Sequence, residues 1–363
     1  MKKFIRKILI WLNLVLAFLL AMSYLANYIN PAYIWPIAFF GLAYPVLLIL
    51  NAIFVFFWIF MRKWYALFSL GIILLGWGNV GRFIQIRAKG SDTLSNSDIN
   101  LLSYNVRMFN KYEWEEETGV GDSIIQYVSG RGADIVCFQE YLTVKAPNKF
   151  NKNALDSFVS NFPYRHEYFT SNVYPTWSTG IATFSKLKII RKGRLNFEGS
   201  FNSCSYSDVI LAKDTIRIFN VHLQSIYLKE DSYSIIDKPV DKIDQERLNE
   251  MKEISGRLKT AYIKRARQVD EVNRLIRLSP YPVIVCGDFN DTPVSYTYHK
   301  IRGQLKDAFI DAGTGFSNTY RGKFPSFRID FIFYSPDFEV SGYHCDRVSY
   351  SDHFPVFCRL KIR

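Results

Sequence analysis

Six apolar runs in this sequence end in polar residues that could do chemistry. Leu101-Leu102-Ser103-Tyr104 leads into Asn105, and Ile135-Val136-Cys137-Phe138-Gln139 leads into Glu140. Ile216-Arg217-Ile218-Phe219-Asn220-Val221 leads into His222. Ile284-Val285-Cys286-Gly287 leads into Asp288, with Asn290 two residues on. Phe327-Arg328-Ile329 precedes Asp330, and Ser351-Asp352-His353 precedes the last apolar run. Each polar residue falls where a buried strand would emerge at the rim of its sheet. Singly, each has an ordinary explanation: an Asp or Asn after a strand commonly forms a turn, and a lone His commonly makes a structural bond. Together they would bring four carboxylates, two imidazoles and two amides to one edge.

Those types suit phosphoester hydrolysis. The phosphate's negative charge must be neutralised before water can attack, and a hard cation such as Mg²⁺, or Mn²⁺ in its place, does so through oxygen ligands. Asp288 and Asn290, two apart on extended backbone, can face the same side. Gly287 would let the backbone approach a phosphate closely. Imidazoles can move protons or stabilise charge near neutral pH, and an Asp behind one fixes its tautomer and favours its charged form. The five cysteines show no Cys-x-x-Cys zinc spacing; Cys137 and Cys286 read as small buried strand residues.

The ordered set Ser-Tyr-Asn105, Phe-Gln-Glu140, Asn-Val-His222-Leu, Gly-Asp288-Phe-Asn290, Arg-Ile-Asp330-Phe-Ile and Ser-Asp352-His353 resembles the endonuclease/exonuclease/phosphatase superfamily. Ser178-Thr179-Gly180-Ile181-Ala182-Thr183-Phe184-Ser185-Lys186 is similar to its Gly-containing strand ending in Ser-Lys or Ser-Arg. The resemblance covers about residues 98–363. It implies a four-layer α/β sandwich with two packed mixed β-sheets. Glu140 would be the main metal ligand, helped by Asn105 and by Asp352, directly or through water. Asp288 would orient or deprotonate the attacking water, and Asn290 would hold Asp288 and the phosphate. His353, supported by Asp330, would contact the phosphate. His222 would stabilise the phosphate or assist proton transfer at the leaving oxygen. Some nucleases of the superfamily carry an acid where Arg107 stands, which points to one main metal here. Arg107 is then a candidate phosphate contact, or an ordinary surface residue.

The elements that must position these residues can be read in outline. Strands are expected at Ile99–Val106, Ala133–Phe138, Gly180–Phe184, Val209–Leu223 with a turn at Lys213-Asp214, Pro282–Cys286, Ile329–Tyr334 and Pro355–Leu360. Ser123–Ser129 and Leu155–Asn161 read as helices, and Asp241–Leu278 as one long helix or two shorter ones. Alternating strands and helices make residues 99–363 a layered α/β or α+β catalytic domain.

Residues 1–81 are different. No Asp, Glu, Lys, Arg or His occurs in the 54 residues from Ile8 to Met61, while one membrane-spanning helix needs about 20. Asn27, Asn30, Pro31 and Pro36 break the run into two spans. Trp64–Gly81 is a further charge-free run of 18 residues, so two or three spans are expected, with residues 82–98 as a polar linker. Residues 1–90 hold nine Lys or Arg and no acid, leaving 45 − 9 = 36 bases against 33 acids, or +3, for the rest. That balance gives no support to a strongly basic nucleic-acid-binding domain. The basic residues flank the spans instead. Lys2, Lys3, Arg6, Lys7, Arg62 and Lys63 would face the cytoplasm by the positive-inside rule, and an odd number of spans, three, would then place the catalytic domain outside it.

The sequence therefore predicts an integral-membrane phosphodiesterase or nuclease-like hydrolase, partnered by the bilayer; no protein partner is called for. The phosphoester could belong to nucleic acid, a phospholipid or a sugar phosphate. The rival is an inactive membrane scaffold or binding protein on the same fold. Lys111–Val120, Asn148–Thr176 and Gln224–Asp241, with aromatics such as Tyr112, Trp114, Tyr174, Trp177, Tyr227 and Tyr233, are the segments expected to set specificity.

Overall fold

The computed structural model describes residues 2–87, 98–110, 119–144, 152–171, 177–226, 245–322 and 327–363. Most of the three expected specificity segments, with Tyr112, Trp114, Tyr174, Tyr227 and Tyr233, lies outside the described residues. Trp177 is described and opens a strand.

The chain begins with helices α1 (Lys2–Leu25), α2 (Pro36–Phe60), α3 (Ala66–Leu75) and the single turn α4 (Trp77–Val80). The windows Lys3–Leu25 and Pro36–Phe60 are long and apolar enough to cross a membrane, and only 22% and 28% of them is buried. Phe4, Trp11, Phe18, Ile53, Phe56 and Phe60 are exposed, unlike the side chains of a soluble core helix. The run Trp64–Gly81 is not one continuous helix: it breaks at Gly76 between α3 and α4. A polar cluster ties the three long elements together. The Ser69 hydroxyl lies 2.6 Å from Asn13 Oδ1 and 2.7 Å from Asn51 Oδ1, and Asn51 Nδ2 donates to the Leu16 carbonyl at 3.0 Å. Such bonds hold apolar helices together where the hydrophobic effect does not.

Two six-stranded sheets follow. The first runs β10 (Lys306–Asp307), β12 (Asp330–Tyr334), β9 (Val283–Asp288), β8 (Asp214–His222), β7 (Ser203–Leu211), β6 (Ile189–Asn196). The second runs β13 (Phe338–Cys345), β14 (Val356–Ile362), β2 (Asp98–Asn105), β3 (Ile135–Val144), β5 (Trp177–Ser185), β4 (Tyr164–Ser171). Each is mixed: β8 and β9 are parallel, as are β2 and β3, and their neighbours are antiparallel. A small ribbon pairs β1 (Ile84–Gln85) with β11 (Gly315–Phe316). The linker is thus fixed at its start; residues 88–97 lie outside the described residues.

Ile99, Leu101, Ile135 and Cys137 of one sheet pack against Ile216, Ile218, Ile284 and Cys286 of the other. On the second sheet's outer face, Ile124, Ile125 and Val128 of α5 (Val120–Gly130) and Phe158 of α6 (Lys152–Ser160) complete a second core. On the first sheet's outer face, Ala266, Val269 and Val272 of α7 (Gln245–Arg277), with Tyr298 and Ile301 of α8 (Tyr296–Arg302), complete a third. The result is the four-layer α/β sandwich with two mixed sheets that the sequence implied. Asp241–Leu278 resolves as one helix of 33 residues. All five cysteines are free.

Gly287 has φ +136°, and a Cβ there would run into the Val221 carbonyl of the neighbouring strand. The glycine therefore permits close β8–β9 pairing. Gly287→Ala should destabilise the protein by more than about 1 kcal/mol, since both the conformation and the space are incompatible with a side chain. Thermal melts of the detergent-solubilised chain would measure this; an unchanged midpoint would contradict the strand packing.

Candidate active site

The parallel β8–β9 pair sets His222 directly opposite Asp288, and antiparallel β9–β12 sets Asp330 opposite Asp288 on its other side. Parallel β2–β3 sets Asn105 beside Gln139. The register of β3 then shifts between Phe138 and Tyr141, and Glu140 takes φ +50°. This bulge re-aims Glu140 into the space between the sheets, the usual work of a bulge at a rim. Asn290 also has positive φ, +53°. Arg107–Asn110 forms a single left-handed turn, with φ from 45° to 57°. Strained backbone thus gathers around one end of the sandwich.

The sequence-predicted residues converge there. Asp288, 1% exposed, is the hub. It receives the Asn290 backbone N–H at 2.8 Å on Oδ1. Its Oδ2 receives Asn290 Nδ2 at 3.0 Å and Asn105 Nδ2 at 3.0 Å. His222 Nε2 and His353 Nε2 each stand 3.7 Å from the same Oδ2. His222 Nε2 is also 3.7 Å from Glu140 Oε1, and Asn105 Nδ2 donates to that oxygen at 3.3 Å. His353 Nδ1 pairs with Asp330 Oδ2 at 2.9 Å. Ser351 Oγ donates to the Asn105 carbonyl at 2.9 Å and lies 3.2 Å from Asp352 Oδ1, which ties the last loop to β2. Arg107 lies farther out, its Nε 3.8 Å from Asp352 Oδ2.

Some details differ from expectation. The two amide protons of Asn290 are engaged by Asp288 and by the Leu223 carbonyl at 2.9 Å. In this arrangement Asn290 positions Asp288 and has no amide donor left over. Other contributors were not singled out from sequence. Thr319 Oγ1 accepts the backbone N–H groups of Ile329 at 2.9 Å and Asp330 at 3.0 Å. The Tyr320 ring packs edge-on against His353, centroids 5.2 Å apart. Behind the site, Gln139 Nε2 donates to Asn220 Oδ1 at 2.7 Å, and Asn220 Nδ2 reaches the Phe138 and Ala182 carbonyls. This riveting of one sheet to the other leaves only a weak sequence signal: polar residues inside apolar strands.

Burial raises the Asp288 carboxyl above its ordinary range, and neighbouring Asp330 pushes the same way. Burial lowers His222, favouring neutral imidazole. Burial would lower His353 too, but the Asp330 and Asp288 carboxylates outweigh it and hold His353 well above the usual value. Burial raises Glu140, and the Asp352 charge adds to it. The site thus pairs a cationic imidazole with a buried carboxylate, beside two partly exposed carboxylates that repel each other.

A family model described as Endonuclease/Exonuclease/phosphatase family matches residues 102–353. The chain belongs to that family. A model for a domain of unknown function matches residues 6–83. No curated protein matches the chain. Among solved structures, an endonuclease/exonuclease/phosphatase from Beutenbergia cavernae superposes with TM-score 0.53 at 15% identity, over 74% of this chain and 72% of that one. A humanized D. rerio TDP2 gives 0.50 at 13%, over 73% and 100%. A Bacteroides vulgatus endonuclease/exonuclease/phosphatase gives 0.50 at 16%, over 74% and 100%. At these identities the likeness is one of fold.

With divalent metal removed by EDTA, His353 should titrate above an ordinary imidazole, and Asp330→Asn should bring its pKa down. Because the native value is raised, the pair's contribution to stability is full below about pH 6.5 and is lost as pH climbs through the native value. Imidazole NMR titration of both forms would check this; an ordinary His353 in the wild type would refute the pairing.

Proposed function

We propose that this chain is a membrane-anchored, divalent-metal-dependent phosphoester hydrolase that uses water as nucleophile. The observation that carries the reading is the convergence of Asn105, Glu140, His222, Asp288, Asp330, Asp352 and His353 at one sheet rim, around a buried Asp288.

The donors fit a hard cation. Glu140 and Asp352 are partly exposed carboxylates whose mutual repulsion a cation would relieve. The Asn105 side chain lies beside Glu140, and its amide orientation is set by whatever it bonds. These three residues would hold Mg²⁺, which supplies charge neutralisation at a phosphate oxygen. Asp288, Asp330 and His353 also bring ligand atoms within 4.8 Å of one another. A protonated imidazole bonded to Asp330 has no lone pair to offer, so that trio is read as proton-handling machinery.

In the hydrolysis, water attacks phosphorus as one P–O ester bond breaks. Asp288 Oδ2, held by Asn105 and Asn290, takes the proton from the attacking water; a raised pKa suits it to this task near neutral pH. His353, kept cationic by Asp330, donates from Nε2 to a phosphoryl oxygen. His222 assists proton transfer at the leaving oxygen. Arg107 at the outer edge offers its charge to the substrate.

The anchor reading rests on α1 and α2, whose apolar side chains are largely exposed. The hairpin sets the amino-terminal cluster Lys2, Lys3, Arg6 and Lys7 at the same end as Arg62 and Lys63, because α1 and α2 run antiparallel. The catalytic domain packs on the other end. The positive-inside rule then puts that domain outside the cytoplasmic membrane.

The detergent-solubilised full chain should hydrolyse a chromogenic phosphodiester with Mg²⁺ or Mn²⁺ and lose that activity in EDTA. Glu140→Gln should shift the Mg²⁺ requirement to higher concentration, and His222→Ala or His353→Ala should cut turnover by about 10²–10⁴. Full activity in EDTA would end the metal reading. For topology, an export-dependent reporter fused after Arg363 should be active and a cytoplasm-dependent one silent; the reverse would put the domain in the cytoplasm.

A further inference from the structure

The catalytic domain does not hang from its helices; it is docked on them in one orientation. Asn30, in the α1–α2 turn, donates to Asp270 Oδ2 at 3.2 Å. Farther along α2, the Phe39 ring meets Tyr262 with centroids 5.7 Å apart. Ala38, Phe39 and Leu42 share a cluster with Ile254, Leu258, Tyr262 and Ile226. From the turn to the first turns of α2 the partners on α7 thus move from Asp270 to Lys259, which lies over the Trp35 ring 4.9 Å from its centroid, and to Tyr262. The carboxyl end of α7 feeds the start of β9, and Arg265, near its middle, contacts the Asn290 carbonyl at the rim, so the amino-terminal part of α7 runs on past the site.

The catalytic loop reaches the same level. Val294, six residues beyond Asp288, is buried among Leu20, Tyr44 and Leu47, and a Cβ at Gly41 would collide with its carbonyl. Arg82 Nη1 donates to the Pro293 carbonyl at 2.9 Å and to Asn27 Oδ1 at 2.8 Å. Arg328, two residues before Asp330, donates to the Arg82 carbonyl at 3.0 Å. A hydrocarbon core takes about 20 helical residues; counted back from Arg62, that reaches the turn Gly41–Tyr44. Val294 therefore sits where the hydrocarbon would begin. Six residues of chain span at most about 20–22 Å, which caps the distance from Asp288 to that boundary. At the same end, Phe201, Leu248 and Met251 are 68%, 47% and 51% exposed.

We propose that the rim lies against the bilayer surface and that the phosphoester it cleaves is the headgroup phosphate of a lipid in that leaflet. This rests on the hydrolase reading above. Water adds across one P–O ester bond of the lipid, OH to phosphorus and H to the departing alkoxide, with no change of oxidation state. A lipid phosphate is delivered at the depth of the site, whereas a soluble phosphoester gains nothing from the docking.

Two measurements on the full chain test it. In vesicles of phosphatidylglycerol and phosphatidylethanolamine with Mg²⁺, mass spectrometry should find a cleaved headgroup, and the rate should fall several-fold as the lipid is diluted into detergent micelles. Turnover of a chromogenic diester should not respond to that dilution. If the diester is cleaved while both lipids stay intact, or duplex DNA or a soluble sugar phosphate is cleaved faster than lipid, the lipid assignment falls and the hydrolase reading stands. If neither diester, lipid nor DNA is cleaved, both fall. Independently of activity, fluorophores on Phe201→Cys and Leu248→Cys, in a Cys345→Ser background, should be quenched by brominated lipid. A label on Lys213→Cys, at the opposite end of the sheets, should not. Equal quenching at all three positions would overturn the orientation.

Discussion

Everything at the rim depends on keeping one carboxylate, that of Asp288, out of water. A buried carboxylate costs several kcal/mol unless it is well bonded. Its partners come from both sheets: Asn290 and His222 from the first, Asn105 and His353 from the second or the loop leading into it. Neither sheet alone satisfies it. The site therefore exists only when the sandwich is closed, and the Gln139–Asn220 pair behind it holds the sheets in that register. Buried polar pairs of this kind fix one arrangement because every alternative leaves a group unpaired.

The same logic extends outward along the catalytic loop. After Asn290 the chain is gripped by Arg265, 1% exposed, which contacts the Asn290 carbonyl and lies 3.4 Å from Asp291 Oδ2. Thr297 donates to that oxygen at 2.7 Å. Pro293 and Val294 then meet the helix hairpin. The loop that carries the proposed base is thus stapled to α7 on one side and to the apolar helices on the other. Arg82 and Arg328 join the start of the linker to the strand bearing Asp330.

Much of this was legible before any fold was known. The central strands β2, β3, β8, β9, β12 and β14 are buried on both faces, so their sequences are near-continuous apolar runs, and their ends advertised the polar residues. The strands of the two large sheets that escaped notice, β4, β6, β10 and β13, are all sheet edges. Tyr164–Ser171 and Ile189–Asn196 face solvent on one side and carry Arg165, Glu167, Arg191, Lys192 and Arg194. Their pairing is dictated by a neighbour, and an edge residue leaves no such trace in its own sequence. Thr319, Tyr320 and the Gln139–Asn220 pair were hidden for a related reason: a lone polar residue says nothing of a partner far away in the chain.

By itself, then, the sequence determined the apolar hairpin, the buried strands and the identity of the residues at their ends, because burial and strand alternation are local properties. Tertiary structure alone decided that these ends meet around Asp288, that Asn290 spends both amide protons on positioning, and that Gly287 serves strand packing. It also decided that the loop after Asp288 packs at Val294 on the helix hairpin. Each of those outcomes is a distance between residues far apart in the chain. Such distances are set by how two sheets and a helix pair close on one another, and no local pattern encodes them.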